Sequence, residues 1–532
     1  MLTPMQTLEK VNTKIKPQWK TAFLSTLVIG LLIHMPALLS DIPNHDGLDS
    51  MYFDQNMITS GRWFLTVACG FSSYFSIPWM IGLLGLLFLA GTSVVLTELL
   101  ELEDKSVICL VSGLLVAFPA FASTVAYVFT LDGYMLAMFL ATLSVLLVKK
   151  FRYGFLAGAV CLAFSVGTYQ AYLSFAVILC VYMIVRLLIE QGERKDKLRK
   201  VCRYLLMGVI GLILYVVVLS VLLAVQGKEL ASYQGISGMG NVAGTGLLGS
   251  IKNIYVDFVS FTGAGNILFN NVFSGLAVAV LAVCLIVTVV RKTIGGKWWK
   301  KLTFYAVLLL LALGLPVATN LILIISPDVT YHLLMRYQWV LYLIIAVDFV
   351  SRYAGKQNTV CADCRECMER TGGCVSGWLC WAASVAAVIL IFNYAVTDNI
   401  AYANLEKKYE KTYAYCVRLL DRIEQTEGYY QGIPIAMIGV VGDEQFPVTD
   451  ITGEFTGNMI GMNGDSLLYT GANYEAFMKH YLGATLNFLE PEVMNDIYYS
   501  DEYVEMDSFP GKNSVKVVDG IMYVKTENKN RD

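Results

Sequence analysis

The stretch "TAFLSTLVIGLLIHMPALLSDIPNHDGLDSMYFD" (residues 21–54) joins an apolar segment directly to an acidic one. Its first twenty residues are mostly apolar, and about 20 such residues form a helix that crosses the roughly 30 Å hydrocarbon core of a bilayer. The next fourteen contain four aspartates and a histidine, in a chain of which only 15% of residues are charged. The stretch therefore predicts a transmembrane helix that leads into an acidic loop.

The composition places the whole chain in the membrane class. It has 532 residues, of which 56% are hydrophobic, and its mean hydropathy is +0.58. Apolar windows of span length recur, so we predict an all-α polytopic membrane bundle surrounded by membrane lipids. The net charge of −3 argues against a nucleic-acid partner. Residues 1–20 are too long and too polar for the start of a cleaved signal peptide, so we expect the first segment to stay as an anchor.

Hydrophobicity windows predict eleven transmembrane helices. The shortest break between two of them is "GTYQ" (167–170). The predicted spans cover residues 21–40, 77–98, 106–129, 132–149, 153–169, 171–189, 203–225, 267–290, 302–325, 332–350 and 376–396.

Basic residues provide an independent test of this topology. With eleven spans, every basic stretch falls on the same side of the membrane, and the positive-inside rule makes that side cytoplasmic. The basic stretches are the start of the chain, "KKFR" (149–152), "ERKDKLRKVCR" (193–203), "RKTIGGKWWKK" (291–301) and "SRYAGK" (351–356). The pattern predicts a cytoplasmic N-terminus (1–20), a transmembrane domain (21–396) with an outer loop at 41–76, and an extracytoplasmic C-terminal domain (397–532).

The C-terminal region has the composition of a small α/β domain. Mixed apolar and charged residues predict a helix over 397–427, and "IPIAMIGVVG" (433–442) predicts a buried strand. A second helix is expected over 474–489, and a hairpin over 514–526 around an Asp-Gly turn. About 135 residues suffice for a domain with its own core. It either contacts a substrate at the outer face or serves stability and assembly.

The outer loop carries the densest group of ionisable residues. Crowded carboxylates beside a membrane raise one another's proton affinity, which suits a general base that takes a proton from a hydroxyl. Two of them could instead hold a divalent cation, which is possible but not predicted, or the loop could be a solvated acidic surface. Aromatic residues within 50–66 fit either a short interfacial helix or an irregular loop. The residues concerned are Asp41, His45, Asp46, Asp49, Asp54 and Arg62.

Few ionisable residues lie within the predicted spans, and those few lie near span ends. Polar groups at membrane depth are costly and tend to be functional or paired. Their scarcity weakens a transporter hypothesis, and Asp132 is expected to open a helix, where it complements the helix dipole. The residues are Glu98, Asp132, His332, Arg336 and Asp348. No sequence motif for nucleotide binding is present in the chain.

Two segments resemble the bacterial type II Gtr (GtrII) glucosyltransferases, which are integral-membrane enzymes of the GT-C class. One is "NHDGLDSMYFDQNMITSGRWF" (44–64), directly after the first span. The other is "FNYAVTDNIAYANLEKKYEKTYAYCVRLLDRIE" (392–424), followed by "IPIAMIGV" (433–440). The resemblance implies a GT-C-like bundle that moves a hexose, typically glucose, from an undecaprenyl-phosphate-linked donor to a cell-surface or lipid-linked glycan acceptor, with inversion.

The same resemblance implies where the catalytic acid lies. It matches the first outer loop and points to Asp46 and Asp49. Many members have two adjacent acids, whereas here two residues separate them; we favour Asp46 as the base. A lipid-phosphate donor also needs cations at the outer interface, and Arg62 and Arg336 are candidates by placement, although each could be an ordinary interfacial arginine.

Two alternatives stay open from the sequence. The protein could export a glycan or lipid-linked oligosaccharide, or be a non-catalytic partner in glycan assembly. Separately, Cys361, Cys364, Cys367 and Cys374 have a spacing that could bind zinc, but a peripheral cytoplasmic loop with reduced thiols is the default interpretation, and no metal site is predicted.

Overall fold

We describe the protein from a computed structural model. The part of the chain that the structure describes comprises residues 3–40, 42, 44–49, 57–69, 77–190, 193–231, 247–263, 266–326, 329–355, 372–438, 467–468 and 471–526.

Helices dominate the described residues. They are α1 (Pro4–Lys14), α2 (Pro17–Leu39), α3 (His45–Asp49), α4 (Leu65–Ala68), α5 (Pro78–Leu100), α6 (Lys105–Ala117), α7 (Pro119–Val125), α8 (Val128–Lys150), α9 (Gly154–Thr168), α10 (Leu173–Ile189), α11 (Arg194–Gln226), α12 (Leu247–Gly263), α13 (Val272–Gly295), α14 (Leu302–Thr319), α15 (Ile322–Ile325), α16 (Val340–Gly355), α17 (Gly372–Glu424), α18 (Gly471–Tyr481), α19 (Pro491–Tyr498) and α20 (Asp501–Val504). Short 3₁₀ segments cover Ile58–Ser60, Gln170–Tyr172, Trp298–Lys300 and Leu333–Trp339.

The predicted helical membrane bundle is confirmed, and each of the eleven predicted spans coincides with helix. Among the described residues, nine helices are long and apolar enough to cross a membrane, and the bent pair α6–α7 makes a tenth. The remaining predicted span, 153–169, forms α9, which has only 15 residues. At 1.5 Å per residue that is about 22 Å, short of the roughly 30 Å hydrocarbon core. A backbone break at Tyr169 ends this helix early.

The bend between α6 and α7 has an identifiable cause. The two helices meet at 44° where Pro119 opens α7, because proline cannot donate a backbone hydrogen bond there. The carbonyl of Leu115, four residues before Pro119, accepts instead from the Tyr337 hydroxyl at 2.7 Å, and the next carbonyl, that of Val116, accepts from His34 Nε2 at 2.9 Å. His34 Nδ1 therefore accepts from the Tyr402 hydroxyl at 2.7 Å. One histidine on α2 thus joins α6 to α17.

Ion pairs collect at one end of the bundle, which we call the basic end. Lys16 Nζ lies 2.8 Å from Glu98, and Glu101 binds both Lys149 at 2.7 Å and Arg186 at 2.8 Å. These residues come from the start of α2, the junction of α5 with α6, and the ends of α8 and α10. The cationic ends of three helices are therefore gathered around two glutamates.

Residues of two further basic stretches make their contacts at this end of the bundle on α16. Arg352 binds Asp348 at 3.1 Å and lies 3.8 Å from Glu101, and Lys292 of α13 lies 4.8 Å above the Tyr353 ring. The structure thus brings the predicted basic connections to a common end of the bundle. This arrangement agrees with the alternation used for the topology, while the compartment that the basic end faces stays a prediction.

A small sheet follows the bundle and confirms the predicted α/β domain. It consists of β1 (Pro434–Ile438), β2 (Asn487–Phe488), β3 (Val515–Val518) and β4 (Ile521–Lys525) in the order β2-β1-β4-β3. Strand β1 is parallel to both β2 and β4, and β3 is antiparallel to β4. The predicted hairpin turns at Asp519 and Gly520, both with positive φ.

The long helix α17 belongs to both parts of the molecule. It crosses residue 397, the predicted domain boundary, without interruption. Residues up to Leu405 pack in the core of the bundle, whereas residues from Tyr415 onward pack against the sheet. A continuous helix therefore connects the two hydrophobic cores.

Two predicted elements differ from the structure. The connection between the predicted spans 203–225 and 267–290 contains α12, whose apolar residues have helical spacing within a segment that the hydrophobicity windows passed over. The helix expected over 474–489 ends at Tyr481, because Gly483 adopts a left-handed φ of 68° and Ala484 N closes the turn onto Met478 O at 3.0 Å.

The pairs of Glu101 predict how stability depends on pH. Burial opposes ionisation of this carboxyl, but hydrogen bonds and charge from Lys149 and Arg186 lower its pKa from 4.5 to about 2. A carboxylate with a depressed pKa stabilises the fold above its unfolded pKa and loses that contribution as the pH falls toward 2. The melting temperature in detergent should therefore fall less between pH 5 and pH 3 in Glu101→Gln than in the wild type. Glu103→Gln, at an exposed neighbour, is the control, and equal behaviour of the two variants would contradict the assignment.

Candidate functional site

The predicted acidic loop begins with the short helix α3. The Asn44 side chain accepts a hydrogen bond from Gly47 N at 2.7 Å and so starts the helix. Leu48 is 1% exposed and packs in the core of the small domain. From α18, Asn473 Nδ2 donates to the His45 carbonyl at 3.1 Å. The acidic helix is therefore anchored to the C-terminal domain.

Asp46 is the half-exposed carboxylate of this helix. Its side chain is 53% exposed, and Oδ1 lies 3.4 Å from His45 Nε2. Burial lowers the pKa of His45 below its ordinary value of 6.5; Asp46 opposes this effect, and the charge of Lys408 adds to it. Burial therefore favours the neutral form of His45, and the Asp46 carboxylate beside it stays half-exposed.

His332 lies in the same electrostatic environment, although its position in the chain is remote. It precedes the 3₁₀ segment Leu333–Trp339, and its ring centroid lies 6.4 Å from that of Tyr127. Burial lowers the pKa of His332, with the negative charge of Asp46 opposing and the charge of Arg62 reinforcing the shift. The fold therefore brings together residues from the first outer loop and from the segment before α16.

Arg62 lies against a pair of stacked tyrosines. Its NH1 donates to the Tyr134 hydroxyl at 3.3 Å, and its guanidinium carbon lies 5.1 Å from the centre of the Tyr169 ring. The two tyrosine rings stack at 4.1 Å with an angle of 17°. A guanidinium held over an aromatic face keeps its charge while its position is restricted. We call Arg62, Tyr134 and Tyr169 the arginine platform.

A neighbouring contact explains how the loop approaches the bundle so closely. Phe64 N donates to the Gly167 carbonyl at 2.8 Å. A Cβ atom at Gly167 would lie 2.4 Å from the Trp63 ring, so a larger residue would push the loop away. The segment 57–69 is an irregular turn followed by α4, and not the interfacial helix considered above. The residues 50–56 of that hypothesis lie outside the described residues.

Arg336, the second predicted phosphate ligand, lies in a different polar network. It forms a two-pronged ion pair with Asp257 of α12, with distances of 2.8 and 2.7 Å. Its guanidinium also lies 3.7 Å from the Tyr331 ring centre and 4.6 Å from that of Phe261. Asn320 donates to Asp257 at 3.0 Å. The structure thus joins Arg62 to the Asp46 environment and joins Arg336 to α12.

Two further acids, Asp132 and Asp398, are buried in the bundle. Asp132 does not open α8, which begins at Val128, and its Oδ1 accepts from Gly133 N at 2.9 Å inside the first turns. Asp398 is fully buried, and neither of its carboxylate oxygens has a hydrogen-bond partner among the described residues. Burial without a partner favours the neutral acid. Asp398 was not predicted from the sequence, because it lies just beyond the end of a predicted span.

Several predicted residues cannot be placed. Asp41 and Asp54 lie outside the described residues, as does the side chain of Asp49. The cysteines of the proposed zinc cluster, Cys361, Cys364, Cys367 and the side chain of Cys374, also lie outside them. Within the described part of the chain, no three His, Cys, Asp or Glu residues are grouped so that they could hold a metal ion.

Three residues near the site were not predicted from the sequence, because their role depends on the fold. Tyr134, Tyr169 and Lys408 lie in segments that read as ordinary helix or helix break. A lysine that is 1% exposed on α17 is unusual, since lysine is rarely fully buried without partners. Lys408 lies three residues after Leu405 and four before Thr412, both buried, so the three share one face of the helix. That spacing was the signal available in the sequence for a buried lysine.

The anchoring of α3 generates a stability prediction. Replacing Leu48 by alanine removes a side chain from the core of the small domain, and buried Leu→Ala changes cost about 2–5 kcal/mol. We expect a lower melting temperature in detergent than for the wild type. Leu39→Ala, at the 73% exposed last residue of α2, is the control and should change the melting temperature little. If both variants melt alike, Leu48 does not anchor the acidic helix.

Comparison with known proteins adds one finding. The family described as "Glucosyl transferase GtrII" matches residues 35–350, which include the acidic helix, the arginine platform and His332. No curated protein and no solved structure matches the chain.

Proposed function

The chain belongs to the glucosyl transferase GtrII family, and from that premise we propose that it transfers glucose from a polyprenyl-phosphate donor to a glycan acceptor at the site around Asp46. The protein is a membrane glucosyltransferase of many helices. The family supports an enzyme over the two alternatives considered from the sequence, an exporter and a non-catalytic partner in glycan assembly. The proposal concerns the donor, the acceptor, the residues and the mechanism.

The half-exposed carboxylate of Asp46 is the observation that carries the proposal. It lies beside a neutral histidine and in the electrostatic range of the arginine platform. In the proposed step, Asp46 takes the proton of an acceptor hydroxyl while that oxygen attacks C1 of the donor sugar. The bond from C1 to the phosphate oxygen breaks, and its electron pair leaves with the polyprenyl phosphate. Attack opposite the leaving group inverts the anomeric centre.

Arg62 is the proposed partner of the donor phosphate. Negative charge grows on the phosphate as the bond to C1 breaks, and a preorganised guanidinium stabilises that charge. The stacked tyrosines support this role because they hold the Arg62 guanidinium in place without neutralising its charge. Arg336 remains a predicted second ligand of the phosphate, because its guanidinium is already paired with Asp257 and would have to bind both groups.

The proposed site lies on the outer face of the membrane, at the end opposite the basic end. The N-terminus is then cytoplasmic, and the C-terminal domain covers the acidic helix from outside. Its contacts with α3 support this placement, because Leu48 and Asn473 fix the helix from the side away from the bundle. The acceptor glycan would approach between this domain and the bundle.

The first test measures transfer of labelled glucose from a synthetic polyprenyl-phosphate glucose in purified membranes. General-base catalysis contributes about 10²–10⁴-fold to rates, so Asp46→Asn should lower kcat by at least about 100-fold. Asp49→Asn should have a smaller effect. Asp196→Asn, an exposed aspartate at the start of α11, serves as the matched control and should transfer at the parental rate. Parental rates in both loop variants would remove Asp46 and Asp49 from the mechanism.

A second test separates the two arginines. Lysine keeps the charge but not the two-pronged geometry, so Arg62→Lys should lower kcat/KM for the donor about tenfold with an unchanged melting temperature. Arg336→Lys should mainly lower the melting temperature, because it disturbs the ion pair with Asp257. A selective rise in donor KM for Arg336→Lys would instead support Arg336 as a phosphate ligand. An unaltered donor KM and kcat in Arg62→Lys would contradict the role given to Arg62.

A further inference from the structure

We propose that Gln170 and Tyr215 are positioning residues that hold the turn before Arg62, and so fix Arg62 for the donor phosphate. This inference rests on the function proposed for Arg62. Gln170 Nε2 donates to the Ser60 carbonyl at 2.8 Å, and the Tyr215 hydroxyl donates to the Gly61 carbonyl at 3.1 Å. Both side chains are buried. Two donors from different parts of the bundle therefore bind the carbonyls of the two residues that directly precede Arg62.

The turn satisfies its own N–H groups but not these carbonyls. Ser60 N and Arg62 N both donate to the Met57 carbonyl at 3.1 Å, and Gly61 N donates to the Ile58 carbonyl at 2.8 Å. Gly61 adopts a left-handed φ of 74°, which allows the chain to reverse sharply. The outward carbonyls would be left unsatisfied in the bundle, and an unsatisfied buried polar group is costly. Gln170 and Tyr215 supply the missing donors.

The turn is buried, so its carbonyls need hydrogen-bond donors from the protein. Tyr215 lies eleven residues before Gln226, the last residue of α11, which corresponds to about 16 Å along the helix axis. Tyr215 is 3% exposed and faces the inside of the bundle. Ser60 and Gly61 are themselves buried, so bulk water does not reach their carbonyls. Irregular backbone is tolerated there only because the surrounding protein satisfies it.

The break between α9 and α10 supplies two of the contacts at once. Tyr169 leaves the helical conformation, with φ −154° and ψ 111°, and a 3₁₀ turn begins at Gln170. Consecutive residues consequently point to different parts of one loop. The ring of Tyr169 lies under the Arg62 guanidinium, and the amide of Gln170 binds the Ser60 carbonyl. An uninterrupted helix would place these side chains about 100° apart around its axis and could not offer both to the loop.

A double-mutant cycle tests the proposal because a positioning residue acts through its target. Gln170→Leu keeps the volume but removes the donor, and we expect kcat/KM for polyprenyl-phosphate glucose to fall about tenfold, the size of one lost hydrogen bond. In an Arg62→Ala background the same substitution should have almost no further effect. Tyr215→Phe, a milder change, should act in the same direction, and Gln170→His, which retains a donor, should recover part of the activity.

The controls distinguish the possible failures. Tyr204→Phe changes a buried tyrosine of the same helix near the basic end and should leave transfer unaltered. Melting temperatures of all variants show whether the fold is intact. If the wild type uses no polyprenyl donor, the proposed function itself fails. If the wild type transfers but Tyr215→Phe and Gln170→Leu retain parental kcat/KM, or lose activity equally with and without Arg62, then the positioning role is wrong.

Discussion

Backbone carbonyls that leave a helix inside a membrane bundle need a donor from the protein, since water is absent there. The most informative contacts of this chain meet that requirement. His34 donates to the Val116 carbonyl where α6 bends into α7. Gln170 and Tyr215 donate to the carbonyls of Ser60 and Gly61. These irregular points are therefore tied to distant helices, and the ties connect separate parts of the bundle. The position of Arg62 depends on them.

The acidic helix is held from the other side by the C-terminal domain. Leu48 enters the core of that domain, and Asn473 binds the backbone at His45. Helix α17 runs from the bundle core into this second core and carries Lys408, whose charge acts on His45. The small domain is thus part of the architecture of the proposed site. This placement favours a role near the substrate over one confined to assembly.

Much of the fold was predictable because hydrophobicity has a direct physical scale. A span must be apolar over about 20 residues, so helices such as α2 and α5 stand out from composition alone. Helix α9 was predicted as a span of ordinary length because windows do not register a backbone break at Tyr169. Helix α12 was missed because it lies within a glycine-rich region that resembles a loop. In the site, the acidic loop and Arg62 were predicted from sequence, and His332 was noted only as an ionisable residue near a span end. Lys408 and the two tyrosines were not predicted.

By itself, the sequence determined the membrane class, the acidic loop after the first helix, the α/β character of the tail and the family. Those properties depend on local composition and short motifs, which need no knowledge of packing. Tertiary structure alone decided that Arg62 lies on Tyr134 and Tyr169, that Arg336 pairs with Asp257, and that His332 shares the environment of Asp46. The physical reason is separation along the chain. These partners are 70 to almost 300 residues apart, and helix packing decides which side chains meet.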